Sequence, residues 1–217
     1  MALAWGQVRQ LASAEEPVGP TDSALFGPVA ALAADCLSVV GIWHDRVVAI
    51  EIREARPEEF PSISALTIDA YAAIFGIDDL WDYRDELADV AGRAASADVL
   101  VAVEHGSVLG SVTYVPGPSS PMYEFDDPDA ASIRMLAVAL DAQNRGVGRA
   151  LAAACVDRAH AAGRHRVVLY STDPMVIARG MYERMGFVRD APRDWSFERE
   201  DGSTMLLRCY VLKIGTA

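Results

Sequence analysis

The chain has 217 residues, enough for one large domain or for one domain with an appendage. Hydrophobic residues make up 52% of it and charged residues 23%, which is typical of a globular protein with a substantial core. The formal net charge of −12 argues against nucleic acid as a partner, because phosphate backbones are bound by clustered Lys and Arg. A cationic or amine-bearing partner suits this charge better.

Residues 1–47 differ in character from the rest of the chain. They are rich in Gly, Pro, Ala and Ser with little periodicity, and we interpret them as a leader or as one extra helix around 29–40. Their most apolar stretch contains Asp35 and a proline, and no basic segment precedes it, so neither a membrane span nor a signal peptide is predicted. The three cysteines (Cys36, Cys155 and Cys209) lack metal-ligand spacing. We therefore expect a cytoplasmic protein with reduced thiols and no metal centre.

The first half of residues 48–217 predicts a strand, two helices and a hairpin. Alternating apolar and charged residues predict a strand over 48–55, and Pro57 and Gly76 suit the ends of a helix over 56–76. Helical spacing of Leu80, Leu87 and their neighbours predicts a second helix over 78–96 with an acidic outer face. Two β-rich runs around the sequence EHGS predict a hairpin over 98–116.

The second half predicts a repeating strand and helix pattern. After a loop over 117–130, strands are expected over 132–140, 166–172 and 203–214, and helices over 149–163 and 174–186. This order describes a mixed sheet with helices on both of its faces.

The sequence QNRGVGRA (143–150) connects a predicted strand directly to a predicted helix. Unpaired backbone N–H groups converge at a helix N-terminus, where the helix dipole is positive, so such a turn can hold a phosphate. Gly146 and Gly148 would let the backbone approach a ligand closely, and Arg145 and Arg149 add positive charge. A dinucleotide-binding motif would need a third glycine at Leu151, and the Lys-Ser/Thr of a P-loop is absent. A purely structural turn remains the alternative on these residues alone.

Two sequence motifs together are more specific. The stretch MLAVALDAQNRGVGRALAAA resembles the acetyl-CoA motif of the GNAT superfamily of N-acetyltransferases, Gln/Arg-x-x-Gly-x-Gly/Ala, with Gln143, Gly146 and Gly148 at its fixed positions. About forty residues later, ARGMYERMGF resembles the second hallmark of that superfamily. The resemblance covers roughly residues 49–214. It implies one GNAT domain over 48–217, with an α/β fold of the α+β kind: a mixed, mostly antiparallel twisted sheet that splays at the motif strand.

The resemblance also implies the residues that would act. Tyr182 would protonate the departing CoA thiolate after direct attack by an amine in a ternary complex. The backbone of the motif strand would pair with the pantetheine arm and polarise the thioester carbonyl, and the glycine turn would hold the pyrophosphate. The implied acetyl-CoA site therefore comprises Leu136, Ala137, Val138, Gln143, Asn144, Arg145, Gly146, Val147, Gly148, Arg149 and Ala150.

Two departures from the family pattern affect the chemistry. Met175 stands where many relatives have an asparagine that contacts the pantetheine, and the segment from Ser132 to Met135 lacks the carboxylate that often serves as base or holds a water. The base is therefore unassigned. The nearest carboxylates in sequence are Glu104, Glu124, Asp126 and Asp127.

The sequence thus predicts an acetyl-CoA-dependent N-acetyltransferase whose acceptor is a small-molecule primary amine. Acetylation of a protein N-terminus or lysine, and a non-catalytic acyl-CoA-binding or regulatory module, are the alternatives. No nucleic acid, membrane or metal is expected to take part, and association into a homodimer is left open. Trp195 is expected near the acceptor cleft.

Overall fold

A computed structural model of the protein describes residues 50–77, 80, 83–199 and 202–215. The predictions for residues 1–47 lie outside the described residues. Within the described part, eight strands share one sheet, in the order β1-β2-β3-β4-β5-β8-β6, and β7 also pairs with β8. The strands are β1 Glu51–Glu54, β2 Asp98–Glu104, β3 Ser107–Val115, β4 Ala130–Val138, β5 Arg166–Thr172, β6 Val188–Arg189, β7 Trp195–Glu198 and β8 Thr204–Lys213.

The sheet is mixed and mostly antiparallel, as predicted. Only β4 and β5 run parallel, and every other pairing is antiparallel. The two parallel strands are connected by a helix, which is the connection that parallel neighbours require. The predicted hairpin is confirmed, with β2 and β3 joined at His105 and Gly106, which both have positive φ (52° and 81°). Positive φ at both central residues is the requirement of a tight two-residue hairpin turn.

Five α-helices lie in the described part of the chain: α1 Phe60–Phe75, α2 Arg84–Ala88, α3 Val90–Ala94, α4 Val147–Ala161 and α5 Val176–Arg184. A short 3₁₀ turn, Pro57–Glu59, leads into α1, and Gly76 ends it with φ of 88°. Helix α4 starts two residues earlier than predicted, directly after Gly146. The predictions for α1, α4 and α5 are otherwise confirmed.

The prediction of one helix over 78–96 is wrong. The described part of that segment forms the two short helices α2 and α3, which meet at Asp89. Asp89 has ψ of 70°, outside the helical range, and its carboxylate accepts a hydrogen bond from the Gly92 N–H (2.8 Å). An aspartate in this role caps a new helix start, so the same residue ends one helix and begins the next. The predicted apolar positions Leu80, Leu87 and Val90 are buried nevertheless.

Helices cover both faces of the sheet, as predicted. Leu100, Ala131 and Ile133 point to the face that packs on α4 and α5, in the largest core cluster. Val99 and Val101 point to the opposite face, where Ile63 of α1 and Val90 of α3 cover them. This alternation follows from the period of two in a strand.

The predicted splay is present between β4 and β5. These strands pair only over Ala130–Ile133 and Arg166–Leu169. Among the described residues, β4 beyond Ile133 pairs only with β3, as far as Val138, and β5 continues to Thr172 beside β8. A gap therefore opens in the middle of the sheet, next to the motif strand.

Candidate active site

A β-bulge reshapes β4 where the gap begins. Thr113 of β3 pairs with Arg134, but Ser111, two residues earlier on β3, pairs with Ala137, three residues later on β4. Val112 therefore faces two residues of β4, Met135 and Leu136, and Met135 adopts φ of 50°. Bulges bend a strand and redirect its side chains, and they are common beside active sites. Here the bulge coincides with the point at which β4 leaves β5.

The edge of β4 that faces the gap carries backbone groups available for a ligand. The Ala139 N–H donates to the Leu109 carbonyl on the β3 side (2.9 Å). Because successive peptide groups of a strand point to opposite edges, those of Val138 and Leu136 point toward the gap. The structure thus presents the predicted pantetheine segment, Leu136–Val138, as an edge to which an extended ligand can add like a strand.

The turn after β4 leads into the N-terminus of α4. Asn144 and Gly146 both adopt left-handed conformations, with φ of 60° and 83°, and Gly146 is the residue that precedes the helix. No side chain caps this helix start. The first N–H groups of the 15-residue helix therefore remain available at its positive end, which is the arrangement that binds phosphates. Gln143, Asn144, Arg145 and Gly146 are exposed.

Glycine stands at the two motif positions, Gly146 and Gly148, for different structural reasons. A side chain at Gly146 would meet no atom within 4 Å, so its requirement is the left-handed backbone alone. A Cβ at Gly148 would lie 3.4 Å from Met181 Sδ and from a Val138 methyl, and 3.5 Å from a Leu136 methyl. Gly148 thus keeps the first turn of α4 close to β4 and α5.

The two arginines of the turn differ in their contacts. Arg145 Nη2 lies 2.7 and 2.6 Å from the two carboxylate oxygens of Glu104, at the end of β2. Glu104, one of the candidate bases, is thus bound to the glycine turn and does not line the gap between β4 and β5. Arg149 is exposed on the first turn of α4.

Tyr182 lies on α5 and is 5% exposed. Its ring packs edge-on against Phe187 at 5.5 Å between centroids. Burial raises the pKa of Tyr182 well above its usual value, and the nearby hydroxyl of Tyr71 raises it further. Tyr71 belongs to α1 on the opposite face of the sheet, where it packs with Met135, Ala137 and Met175.

Arg134, next to the bulge, holds two carboxylates from other parts of the chain. Its Nη2 lies 2.8 Å from Glu86 of α2 and 3.1 Å from Glu124 of the preceding loop. Burial lowers the pKa of Arg134, but Tyr83 and the two carboxylates outweigh this and raise it overall. Sequence analysis found no carboxylate on this strand, and the structure places two beside it. Of these, Glu86 was missed, because only the fold brings it to a strand about fifty residues away.

The remaining candidates lie elsewhere. Asp127 is buried and pairs with Arg166 (2.6 Å) and Arg193 (3.1 Å), and Asp126 is exposed. Trp195 lies on β7, with its ring 5.4 Å from that of Phe197. Its place near the acceptor stays a prediction.

Across residues 50–77, 80, 83–199 and 202–215, no cluster of three or more His, Cys, Asp or Glu is arranged to hold a metal ion. Within the same ranges, no helix combines the length and apolarity needed to cross a membrane.

Comparison with known proteins identifies the family. The model of the acetyltransferase (GNAT) family matches residues 54–187, which include β4, the glycine turn and Tyr182. The chain therefore belongs to the GNAT acetyltransferase family. No curated protein shows detectable sequence similarity to it.

Solved structures show the same fold. The ribosomal-protein-alanine N-acetyltransferase from Brucella melitensis superposes with a TM-score of 0.57 at 22% identity, over 76% of this chain and 100% of its own. The Salmonella typhimurium protein yncA, solved with its cofactor acetyl-CoA, has a TM-score of 0.56 at 22% identity, over 76% of this chain and 94% of its own. The ribosomal-protein-S18-alanine N-acetyltransferase from Escherichia coli has a TM-score of 0.59 at 17% identity, over 78% of this chain and 96% of its own.

Proposed function

We propose that this protein transfers the acetyl group of acetyl-CoA to a primary amine of a small molecule. The observation that carries the proposal is the continuity of the site. The unpaired edge of β4 leads directly to the open N-terminus of α4, and Tyr182 is buried in the core cluster against which Leu136 and Val138 of that edge pack. Membership of the GNAT acetyltransferase family supports the same reaction.

The described residues fit acetyl-CoA at two points. The uncapped start of α4, preceded by left-handed Asn144 and Gly146, suits the pyrophosphate. The edge of Leu136–Val138 suits the amide groups of the pantetheine arm, which can pair with backbone as another strand does. Val147 and Ala150 complete the turn as helical residues. When bound, acetyl-CoA supplies the activated acetyl thioester.

Met175 fits this arrangement in a different way from an asparagine. It lies in the apolar cluster with Tyr71, Met135 and Ala137. A thioether accepts hydrogen bonds only weakly, so it packs there and cannot replace an amide. We infer that contacts of the pantetheine on this side are apolar.

Tyr182 is suited to act as the general acid. A tyrosine ordinarily titrates near pH 10 and burial raises the pKa of Tyr182 further, so its hydroxyl is protonated at neutral pH. A thiol has a pKa of about 8.5 and leaves as a thiolate, to which Tyr182 donates its proton. An N–H group on the gap side of β4 stabilises the negative charge that develops on the carbonyl oxygen.

The acceptor amine must reach the thioester neutral. An amine of the lysine type has a pKa of about 10.4, so only about one molecule in a thousand is neutral at pH 7.5. Restoring the neutral form costs about 4 kcal/mol, at about 1.4 kcal/mol per pKa unit. Carboxylates near the acceptor side of β4 can lower this cost by accepting the proton.

The test combines binding and turnover. Calorimetry should show acetyl-CoA binding to the purified protein, and a thiol assay should then detect CoA release with at least one member of a primary amine library. The library should include alanine-terminated peptides, because two structures of the same fold carry the name ribosomal-protein alanine N-acetyltransferase. Transfer to peptides alone would favour a protein N-terminus as acceptor. Binding without release across the library would favour a non-catalytic acyl-CoA-binding module.

A further inference from the structure

A polar group of residues occupies the face of the sheet that α1 covers, beside the bulge in β4. Arg134 is its centre, with a side chain only 12% exposed. Glu86 and Glu124 contact the same guanidinium nitrogen and are 34% and 23% exposed. A buried arginine that binds two partly exposed carboxylates fixes both of them in position.

Two buried hydroxyl groups flank Arg134. Thr113 is its cross-strand neighbour on β3, and Ser132 lies two residues before it on β4. Both side chains are at most 1% exposed, and neither hydroxyl has a hydrogen-bond partner among the described residues. Unsatisfied buried hydroxyl groups are rare in folded proteins, so these two distinguish the face of β4 on which Arg134 lies.

Tyr71 connects this group to the general acid. Burial raises the pKa of Tyr71 to about 12, Arg134 and Arg93 lower it, and Glu86 raises it. The same hydroxyl raises the pKa of Tyr182 across the gap. Leu87, next to Glu86, packs in one cluster with Tyr71, Met135 and Ala137, whereas Phe125, next to Glu124, packs in another cluster with Ala130 and Val168. Glu86 is the carboxylate on the side of the gap.

We propose that Glu86 accepts the proton that the acceptor ammonium loses. In this proposal the Tyr71 hydroxyl lies between the ammonium and Glu86, and Arg134 is the positioning residue that holds Glu86. This inference rests on the proposed N-acetyltransferase function. An N–H bond of the ammonium breaks, its electron pair stays on nitrogen, and the proton passes by way of the Tyr71 hydroxyl to a Glu86 oxygen. The neutral amine then attacks the thioester carbon and forms a tetrahedral adduct. As the C–S bond breaks, the sulfur takes the Tyr182 proton, and the second proton that the acetylated nitrogen loses restores Tyr182, which leaves a neutral amide and a free CoA thiol. Glu86 returns its proton to solvent, to which it is partly open.

Charged and titratable groups face Glu86 from each element that packs against it. Arg134 contacts it from β4, and Arg93 of α3 donates to its backbone carbonyl (2.8 Å). Tyr71 of α1 and Tyr83 before α2 are the other titratable neighbours, and Glu124 shares its arginine. Both arginines hold Glu86 in place, Arg134 through its carboxylate and Arg93 through its backbone carbonyl.

The test compares Glu86→Gln with the wild type on amines of different basicity. Phenethylamine and alaninamide serve as basic acceptors, and hydroxylamine serves as one that is neutral at pH 7. With the basic amines, kcat/KM of the variant at pH 7 should fall by about 10²–10⁴, the usual contribution of a positioned base. The loss should shrink as pH rises toward the pKa of the amine, and hydroxylamine should be used almost as well as by the wild type. A merely structural role would lower all three rates equally at every pH.

Two matched controls and a second variant complete the design. Asp85→Asn removes the exposed neighbour of Glu86 on α2, and Asp157→Asn removes an exposed carboxylate of α4; both should stay within a few-fold of the wild type. Tyr71→Phe keeps the ring and should reproduce the dependence on amine basicity. Calorimetry with acetyl-CoA should give wild-type affinity for Glu86→Gln.

The outcomes separate the two proposals. Equal rates for Glu86→Gln and the wild type with basic amines, or an equal loss with hydroxylamine, would overturn this inference and leave the N-acetyltransferase function standing. Absence of transfer by the wild type to every amine would overturn both.

Discussion

At the scale of one residue, the environment of Tyr182 suits the proton donor proposed above. Its side chain is buried in the core cluster that α4 shares with the sheet, and burial favours the neutral phenol. A group that must deliver a proton benefits from this environment, because it is fully protonated over the whole physiological pH range.

Tyr182→Phe tests this role. The ring and its contact with Phe187 are kept, so acetyl-CoA affinity should hardly change, whereas kcat should fall by about 10²–10⁴. Steady-state kinetics measures both values. Tyr114→Phe, which removes another buried hydroxyl from the core, is the control and should retain the wild-type kcat. A wild-type kcat for Tyr182→Phe would leave Tyr182 as a packing residue.

The glycines of the turn make separable predictions. Gly148→Leu would place a side chain against Leu136 and Val138, where the contact distance for a Cβ is already 3.4–3.5 Å, so acetyl-CoA binding should be lost. Gly146→Ala should lower stability by about 1–2 kcal/mol, because an alanine is strained in the left-handed backbone conformation of this residue. It should weaken acetyl-CoA binding less than Gly148→Leu does. Calorimetry and thermal unfolding of both variants distinguish the two effects. Equal affinities for Gly148→Leu and the wild type would contradict the assigned pyrophosphate site.

Residues of the turn and Tyr182 could be predicted from the sequence because they lie in short continuous motifs. Glu86, Tyr71 and Arg134 could not be predicted as a group, since they come from α1, α2 and β4 and meet only through the fold. The bulge at Met135 could not be predicted from the sequence either, because no glycine or proline marks the position of its positive φ.

At the scale of elements, β4 is the strand on which the site depends. The bulge and the loss of pairing with β5 occur within a few residues of each other, and together they create an edge inside a sheet. The periodicity of the sequence predicted the strand itself. The same method misjudged residues 78–96, because apolar spacing continues through Asp89 while the backbone does not.

The loop before β4 is fastened by Asp127. Its carboxylate is buried, and burial raises its pKa, but hydrogen bonds from Arg166 and Arg193 outweigh this and lower the pKa overall. Asp127→Asn should destabilise the protein by about 3–5 kcal/mol, the usual cost of breaking a buried pair from one side. Denaturant unfolding at pH 7 measures this. A loss below about 1 kcal/mol would show that the pair does not hold the loop.

The sign of the pH dependence follows from the lowered pKa. An aspartate whose folded-state pKa lies below its usual value of about 3.9 contributes stability that is complete above that value. The contribution is lost as pH falls through the lower folded-state pKa. The difference in unfolding free energy between the wild type and Asp127→Asn should therefore be constant near neutrality and shrink in acid. A constant difference down to pH 2 would contradict the assignment.

At the scale of the whole molecule, the family match and the described site lie entirely beyond residue 47. Deletion of residues 1–47 should therefore leave acetyl-CoA affinity within a few-fold of the wild type, as measured by calorimetry. Loss of soluble protein on truncation would show that these residues are needed by the domain.

The net charge of −12 also belongs to this scale. It favours attraction of a cationic acceptor at long range and disfavours the anionic co-substrate, which the start of α4 and its arginines must attract locally. Raising the salt concentration should accordingly increase KM for a basic amine, because the attraction is screened. Steady-state kinetics between low and physiological salt checks this, with hydroxylamine as the uncharged control. An equal change for both acceptors would contradict a steering role for the charge.

The most direct test of acetyl transfer is mass spectrometry of a reaction that contains the protein, acetyl-CoA and a primary amine from the library. The account predicts one acetylated amine, heavier by one acetyl group, for each CoA released, with both products absent in the Gly148→Leu control. Release of CoA without an acetylated amine would reveal thioester hydrolysis, and tight binding without either product would reveal a binding module. Either result would contradict the assignment of this protein as an N-acetyltransferase.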